Sequence, residues 1–245
     1  MSYEELVELA RRDDGILGLV LTGSRGRAFG VTDESDWDVR LIVRDELRES
    51  YRATLATPHG SNVEVFVLSR SDLEEVGRLG SPSAWDRYSY VDVPVVVDSA
   101  DGSIGTLVTH LETLDPGEAR TLAAGKLDDY VNAYYRAAKN AGAGLADEAR
   151  LDAAESVPLL LDFLFAVHGR VRPFNRFLVW ELERRPLPGV RWKSEALTSW
   201  LERVAAGDLE AQRQVFRDVE SVARAHGLGD VLDSWEPDLA WLRHG

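Results

Sequence analysis

GSRGRAFGVTDESDWDVR, residues 23–40, is the stretch on which the reading of this chain turns. The seven residues before it, 16–22 (ILGLVLT), form an apolar run of strand length. The loop that follows holds three glycines and two arginines, and it leads to two aspartates, Asp36 and Asp38, separated by Trp37. Residues 37–43 (WDVRLIV) read as a second strand. Residues i and i+2 of a strand share a face, so the carboxylates of Asp36 and Asp38 point the same way. Two carboxylates side by side repel unless positive charge lies between them. Oxygen-only sites of this kind suit Mg²⁺, which takes one or two carboxylates together with substrate phosphate oxygens.

Two further features extend the pattern. Residues 62–68 (NVEVFVL) read as a third, β-branched-rich strand with Glu64 among valines. If that strand neighbours the second, Glu64 joins the face of the aspartates. Three acids around one or two Mg²⁺ ions form the protein side of a phosphoryl- or nucleotidyl-transfer site. Gly23 and Ser24 complement them: glycine lets the backbone approach a phosphate, and Ser24 offers a hydroxyl and an amide where a helix begins. Arg25 and Arg27 add positive charge suited to the β- and γ-phosphates.

The bulk properties fit a globular protein. The chain has 245 residues, 44% hydrophobic and 29% charged, enough for one large domain or two ordinary ones. It contains no cysteine, which excludes disulfides and thiolate metal sites and fits a cytoplasmic setting. The N-terminal segment is an acidic amphipathic helix without the basic start of a secretory signal. No run approaches the ~20 apolar residues of a membrane span. With 42 acidic and 28 basic residues the net charge is −14, the wrong sign for gripping a long phosphate backbone. The balance argues against a nucleic-acid partner and suits a cationic one.

Helices and strands alternate in the first half. Ser2 and Glu5 form a capping box that opens a helix to about residue 12. Residues 45–57 are expected to be helical, Ser71 and Glu74 to open another helix, and 85–90 to continue it. Residues 93–97 (VPVVV) are expected at a sheet edge, because Pro94 has no amide to donate. After residue 114 only helical patterns remain, near 116–140, 147–168, 173–184, 194–206 and 208–226, then a tail helix. Asp115 and Pro116 make a helix start, and Pro158 is expected to kink or split the second helix. The reading is an α/β domain at 1–114 and a helical domain at 115–245.

Gly23-Ser24, a gap of 11 residues, then Asp36-Trp37-Asp38-Val39 resembles the G-S…D-h-D-h signature of the DNA polymerase β-like nucleotidyltransferase superfamily, most of all its minimal and antibiotic-modifying branches. Glu64, 26 residues after Asp38, stands where that superfamily carries its third metal ligand. The resemblance implies an α+β fold: a nucleotidyltransferase domain, built of a mixed sheet with flanking helices, followed by a C-terminal helical bundle. Residues 126–140 (KLDDYVNAYYRAAKN) and 157–178 (VPLLLDFLFAVHGRVRPFNRFL) are similar to helical patterns of the aminoglycoside and lincosamide nucleotidyltransferases. In such enzymes a carboxylate of the helical domain serves as general base. The resemblance points to Asp129 here, with Asp128 as the alternative, and gives Lys139, Arg170 and Asn175 a place at the triphosphate or the cleft. One residue departs from the family. Arg40, two residues after Asp38, stands where the family has an apolar residue. On the carboxylate face it is expected to pair with Glu64 or Asp38 and to compete with metal. The histidines (His59, His110, His168, His226, His244) show no ligand spacing. Of these His168 stands nearest a candidate site and reads as structural.

The expected activity is therefore transfer of a nucleoside monophosphate, AMP from ATP in the first instance, to a hydroxyl of a small molecule. Asp36, Asp38 and Glu64 hold Mg²⁺; Gly23, Ser24, Arg25 and Lys139 bind the nucleotide; Asp129 deprotonates the acceptor, with an aminoglycoside-like cation favoured. The alternatives are a protein- or tRNA-modifying nucleotidyltransferase of antitoxin type and a catalytically degenerate nucleotide-binding module.

Overall fold

The structure is a computed structural model and describes residues 1–244. The chain divides into two compact units, Met1–Thr113 and Leu114–Gly245.

The first unit is built on one sheet. Its elements are α1 (Tyr3–Arg12), β1 (Ile16–Leu21), α2 (Gly23–Gly26), β2 (Trp37–Val43), α3 (Arg48–Leu55), β3 (Val63–Ser69), α4 (Arg70–Val76), β4 (Val95–Asp98) and α5 (Ser103–Leu111). The strand order is β3-β2-β1-β4. Strand β1 runs antiparallel to both neighbours, and β2 is parallel to β3. The parallel step is allowed because α3 supplies the crossover. Period-two alternation gives each face of the sheet its own core. Val39, Leu41, Val43, Val63, Val65 and Val67 pack on one face with Leu6, Val7 and Ala10 of α1. On the other, Val20 and Ile42 pack with Leu73, Val76, Ile104, Val108 and Leu111 of α4 and α5.

Ser2 caps α1 in the expected box with Glu5. The next box is displaced from the sequence reading. Ser69, not Ser71, caps α4, and Asp72 returns the bond to the Ser69 amide at 2.8 Å. Strand β3 runs straight into α4, so the last strand residue becomes the cap, and Ser71 instead donates its amide to Asp45. Strand β4 begins at Val95 on the open edge; Pro94 stands just outside it and accepts from the Leu21 amide at 3.2 Å. Residues 84–90 form a 3₁₀ helix, and α5, which the sequence does not announce, has four β-branched residues in its nine.

The second unit is helical: α6 (Pro116–Gly142), α7 (Ala146–Ala166), α8 (Leu178–Arg184), α9 (Ser194–Ala205), α10 (Leu209–Ala225), α11 (Gly229–Asp233) and α12 (Asp238–His244). Asp115 caps α6, accepting from the amides of Gly117 and Glu118 at 2.9 Å each. Helix α7 is not split at Pro158. Proline forfeits one backbone bond, and the buried Leu160, Leu161, Phe163 and Leu164 that follow hold the helix in the core. No helix among the described residues is long and apolar enough to cross a membrane.

Arg87 is the most heavily bonded side chain of the first unit's interior. It is buried, and its guanidinium donates to the carbonyls of Leu111 (3.0 Å), Gly77 (3.2 Å), His110 (3.3 Å) and Thr113 (2.6 Å). A lysine keeps the charge but lacks the planar fork. Arg87→Lys should therefore lower unfolding free energy by about 2–3 kcal/mol through carbonyls left without donors, read as a lower urea midpoint; an unchanged midpoint would contradict this.

Candidate functional site

The parallel register of β2 and β3 sets Asp38 opposite Glu64, Arg40 opposite Phe66 and Ile42 opposite Leu68. One face of the sheet thus reads, row by row, as carboxylates, then a cation over a ring, then aliphatic core. In the first row Asp36, Asp38 and Glu64 bring one carboxylate oxygen each within 4.8 Å of one another. Asp36 is exposed, Asp38 partly buried and Glu64 buried. Burial and the neighbouring Asp36 charge push the Asp38 carboxyl above its usual range, opposed by Arg40.

The loop between β1 and β2 is fastened to this row. The Thr22 amide and hydroxyl both donate to the Asp38 carbonyl, at 2.8 and 3.1 Å. Gly23 follows at φ +65°, and a Cβ there would overlap the Asp38 carboxylate. Only glycine fits, for two reasons at once: the left-handed backbone and the carboxylate against it. Ser24 is next in the chain, on the single turn of α2.

The two arginines of the loop act differently from the sequence reading. Arg25 Nε donates to the carbonyls of Ser35 (3.0 Å) and Asp36 (3.1 Å), and Nη2 to Ser35 (2.7 Å). Its guanidinium lies 4.4 Å from the Trp37 ring, which also stacks on Tyr3 at 3.9 Å. Trp37 points to the face opposite its two flanking aspartates. Arg25 thus braces the strand end from behind the carboxylate row, with its guanidinium engaged by backbone carbonyls where the sequence suggested phosphate. Arg27 is buried, bonded to the carbonyls of Gly23 and Tyr88 and set against the Tyr88 ring.

Arg40 shares the carboxylate face, as alternation requires, but it pairs with neither Glu64 nor Asp38. Its guanidinium sits 4.0 Å from the Phe66 ring and 3.3 Å from Asp86, which also accepts from the Ser89 hydroxyl at 2.5 Å. Asp86 lies in the 3₁₀ helix before β4, a partner the sequence did not reveal. Glu64 is instead held by the turn before β3: the Gly60 amide donates to it, and His59 Nδ1 stands 2.9 Å from one oxygen and 3.0 Å from the other. His59 was passed over because no second histidine is spaced with it; the available signal was a Pro-His-Gly-Ser turn leading into an acid-bearing strand.

The remaining candidates lie in the second unit. Asp129 is exposed and paired with Lys126 at 3.4 Å. Asp128 accepts from the Trp235 indole at 2.8 Å, a tie to the tail. Lys139 lies 5.6 Å from the Tyr135 ring. Arg170 donates to buried Glu181 at 2.7 Å and to the Arg185 carbonyl, and Asn175 accepts from Arg172. Asp162, overlooked in the apolar run of α7, lies 3.6 Å from Arg172 and 4.0 Å from Lys126, and burial raises its pKa. Burial likewise drives His168 down to about 4, helped by the adjacent His226, so it is neutral near pH 7.

No protein-family model matches the chain, and no curated protein matches it. Among solved structures, a nucleotidyltransferase-like protein from Exiguobacterium sibiricum is similar over 94% of this chain and 77% of its own, at 14% identity and a TM-score of 0.48.

The raised pKa of Asp38 has a measurable consequence. A carboxyl whose pKa is higher folded than unfolded contributes stability below the unfolded value and loses it as pH rises through the folded one. Asp38→Asn should therefore hold or raise the melting temperature of the metal-free protein at pH 7. The difference from wild type should shrink as pH falls through the raised pKa toward the ordinary carboxylate range. A melting temperature that drops at pH 7 would mean that the Asp38 charge is compensated in the metal-free state.

Proposed function

We propose that the chain is a Mg²⁺-dependent nucleotidyltransferase that moves a nucleoside monophosphate, AMP from ATP, to a hydroxyl of a small molecule. The observation that carries this reading is the convergence of three carboxylates beside a glycine loop whose backbone lies against one of them. The donor set fits the ion. It is all oxygen, it concentrates negative charge, and it leaves two of its three acids reachable from solvent. Asp36, Asp38 and Glu64 would hold one or two Mg²⁺ ions, which when bound neutralise charge on the triphosphate and favour the ionised acceptor hydroxyl.

The chain's own groups supply the rest. The Gly23 backbone allows a phosphate to approach, and the Ser24 hydroxyl donates to it. The acceptor oxygen bonds to the α-phosphorus, the bond from that phosphorus to the bridging oxygen breaks, and pyrophosphate leaves. The acceptor proton passes to a carboxylate base, the role for which the resemblance offers Asp129. Asp129 is exposed and paired with Lys126 at 3.4 Å. A cationic, hydroxylated acceptor of the aminoglycoside type suits the net charge of −14. The pairing of Arg40 with Asp86 supports this reading over a degenerate site.

Pyrophosphate release from each nucleoside triphosphate, scored with Mg²⁺ against aminoglycosides and lincosamides, tests the reading. Release should depend on acceptor and be abolished in Asp38→Asn; equal release by Asp38→Asn would refute the metal assignment. Ser24→Ala should lose about ten- to a hundredfold in kcat/KM for the nucleotide, the ~1.4–2.7 kcal/mol of one charge-assisted hydrogen bond. Asp129→Asn should lower kcat in the same assay, and unchanged turnover would remove Asp129 as the base.

A further inference from the structure

We propose that His59 is a positioning residue for Glu64, fixing which edge of that carboxylate is offered to a divalent cation. The inference rests on the reading of Asp36, Asp38 and Glu64 as a metal site. Glu64 is 2% exposed and is the second residue of β3, and a glutamate side chain has several rotatable bonds before its tip. Its orientation comes from the turn before the strand. The Gly60 amide donates to Oε1, while His59 Nδ1 lies within hydrogen-bond distance of both oxygens. A carboxylate only accepts, so Nδ1 carries the hydrogen.

The turn is built to hold those donors in place. Thr57 bonds to β3 three times: its hydroxyl donates to the Val63 carbonyl at 2.9 Å, accepts from the Val65 amide at 2.8 Å, and its own amide donates to the Val65 carbonyl at 3.3 Å. Ser61 closes the turn, its hydroxyl donating to the Pro58 carbonyl at 2.7 Å. Gly60 adopts φ +85°, which turns its amide onto Glu64. His59 itself is 94% exposed at its side chain and buries little surface. Its contact with Glu64 therefore contributes little to the core, and its consequence lies in the carboxylate. Outer donors of this kind fix the rotamer of a metal-binding carboxylate and leave its remaining lone pairs directed at the ion.

The test is Mn²⁺ binding to the full chain without nucleotide, followed by the electron paramagnetic resonance signal of free Mn²⁺, with thermal melts of each metal-free variant. His59→Ala should weaken Mn²⁺ affinity by about tenfold while leaving the metal-free melting temperature near wild type. His59→Asn places an amide nitrogen where Nδ1 stands and should stay close to wild type. His59→Gln reaches the Nε2 position instead and should behave like alanine. Affinity that is unchanged or tighter in His59→Ala overturns the proposal, as does equal loss in all three variants, which would assign His59 to the stability of the turn. Asp38→Asn in the same titration separates the two levels. If it loses Mn²⁺ while His59→Ala does not, the positioning role alone fails. If wild type and Asp38→Asn bind alike, the metal site fails and the role of His59 with it.

Discussion

Like charge held at short range is the constraint around which the first unit is organised. Three carboxylates with oxygens inside 4.8 Å of one another would drift apart on a flexible chain. Here each is fixed by backbone that has other reasons to stay where it is. Asp38 and Glu64 face each other because β2 and β3 pair in a parallel register made obligatory by the valines on the opposite face. Asp36 is fixed by Arg25, which clamps the carbonyls beside it, and by Trp37 packed on Tyr3. Burial first, and the neighbouring Asp36 charge second, keep the Asp38 pKa elevated, the cost that remains. A hard divalent cation is the simplest agent to relieve it.

Arg40 shows how closely such a site borders ordinary core. Its row lies between the carboxylates and the aliphatic pair Ile42 and Leu68. A guanidinium there could have quenched the acids. Asp86 and the Phe66 ring take it instead, so its field lowers the Asp38 pKa without a direct ion pair to any of the three acids among the described contacts. Positive charge is thus kept near the three acids without an ion pair to them among the described contacts.

Much of this was legible in the sequence. Strand β2 begins and ends where the sequence placed it, the alternating half followed by a helical half is the order read from the pattern, and the mixed sheet with flanking helices is what the resemblance implied. Local spacing was enough to set Asp36 and Asp38 on one face, and Glu64 joins them because β3 does neighbour β2, the condition the sequence left open. What stayed hidden depends on contacts between residues distant in the chain. Asp86 meets Arg40 across 46 residues, and Arg25 turns away because Trp37 offers a ring on the far side of the strand. His59 lacked a partner histidine, and Asp162 sat in an apolar run where one acid reads as a solvated helix position. The Ser71 cap failed for a different reason: two overlapping serine–acid pairs compete at one strand end, and composition does not decide between them.

The central claim is that one face of this sheet holds a divalent cation together with a triphosphate. Anomalous diffraction from crystals of the full chain grown with Mn²⁺ and a non-hydrolysable ATP analogue tests it most directly. The account predicts an anomalous peak bridging Asp36, Asp38 and Glu64, with the triphosphate lying along Gly23 and Ser24. Nucleotide bound elsewhere, with no peak among the three carboxylates, would contradict it.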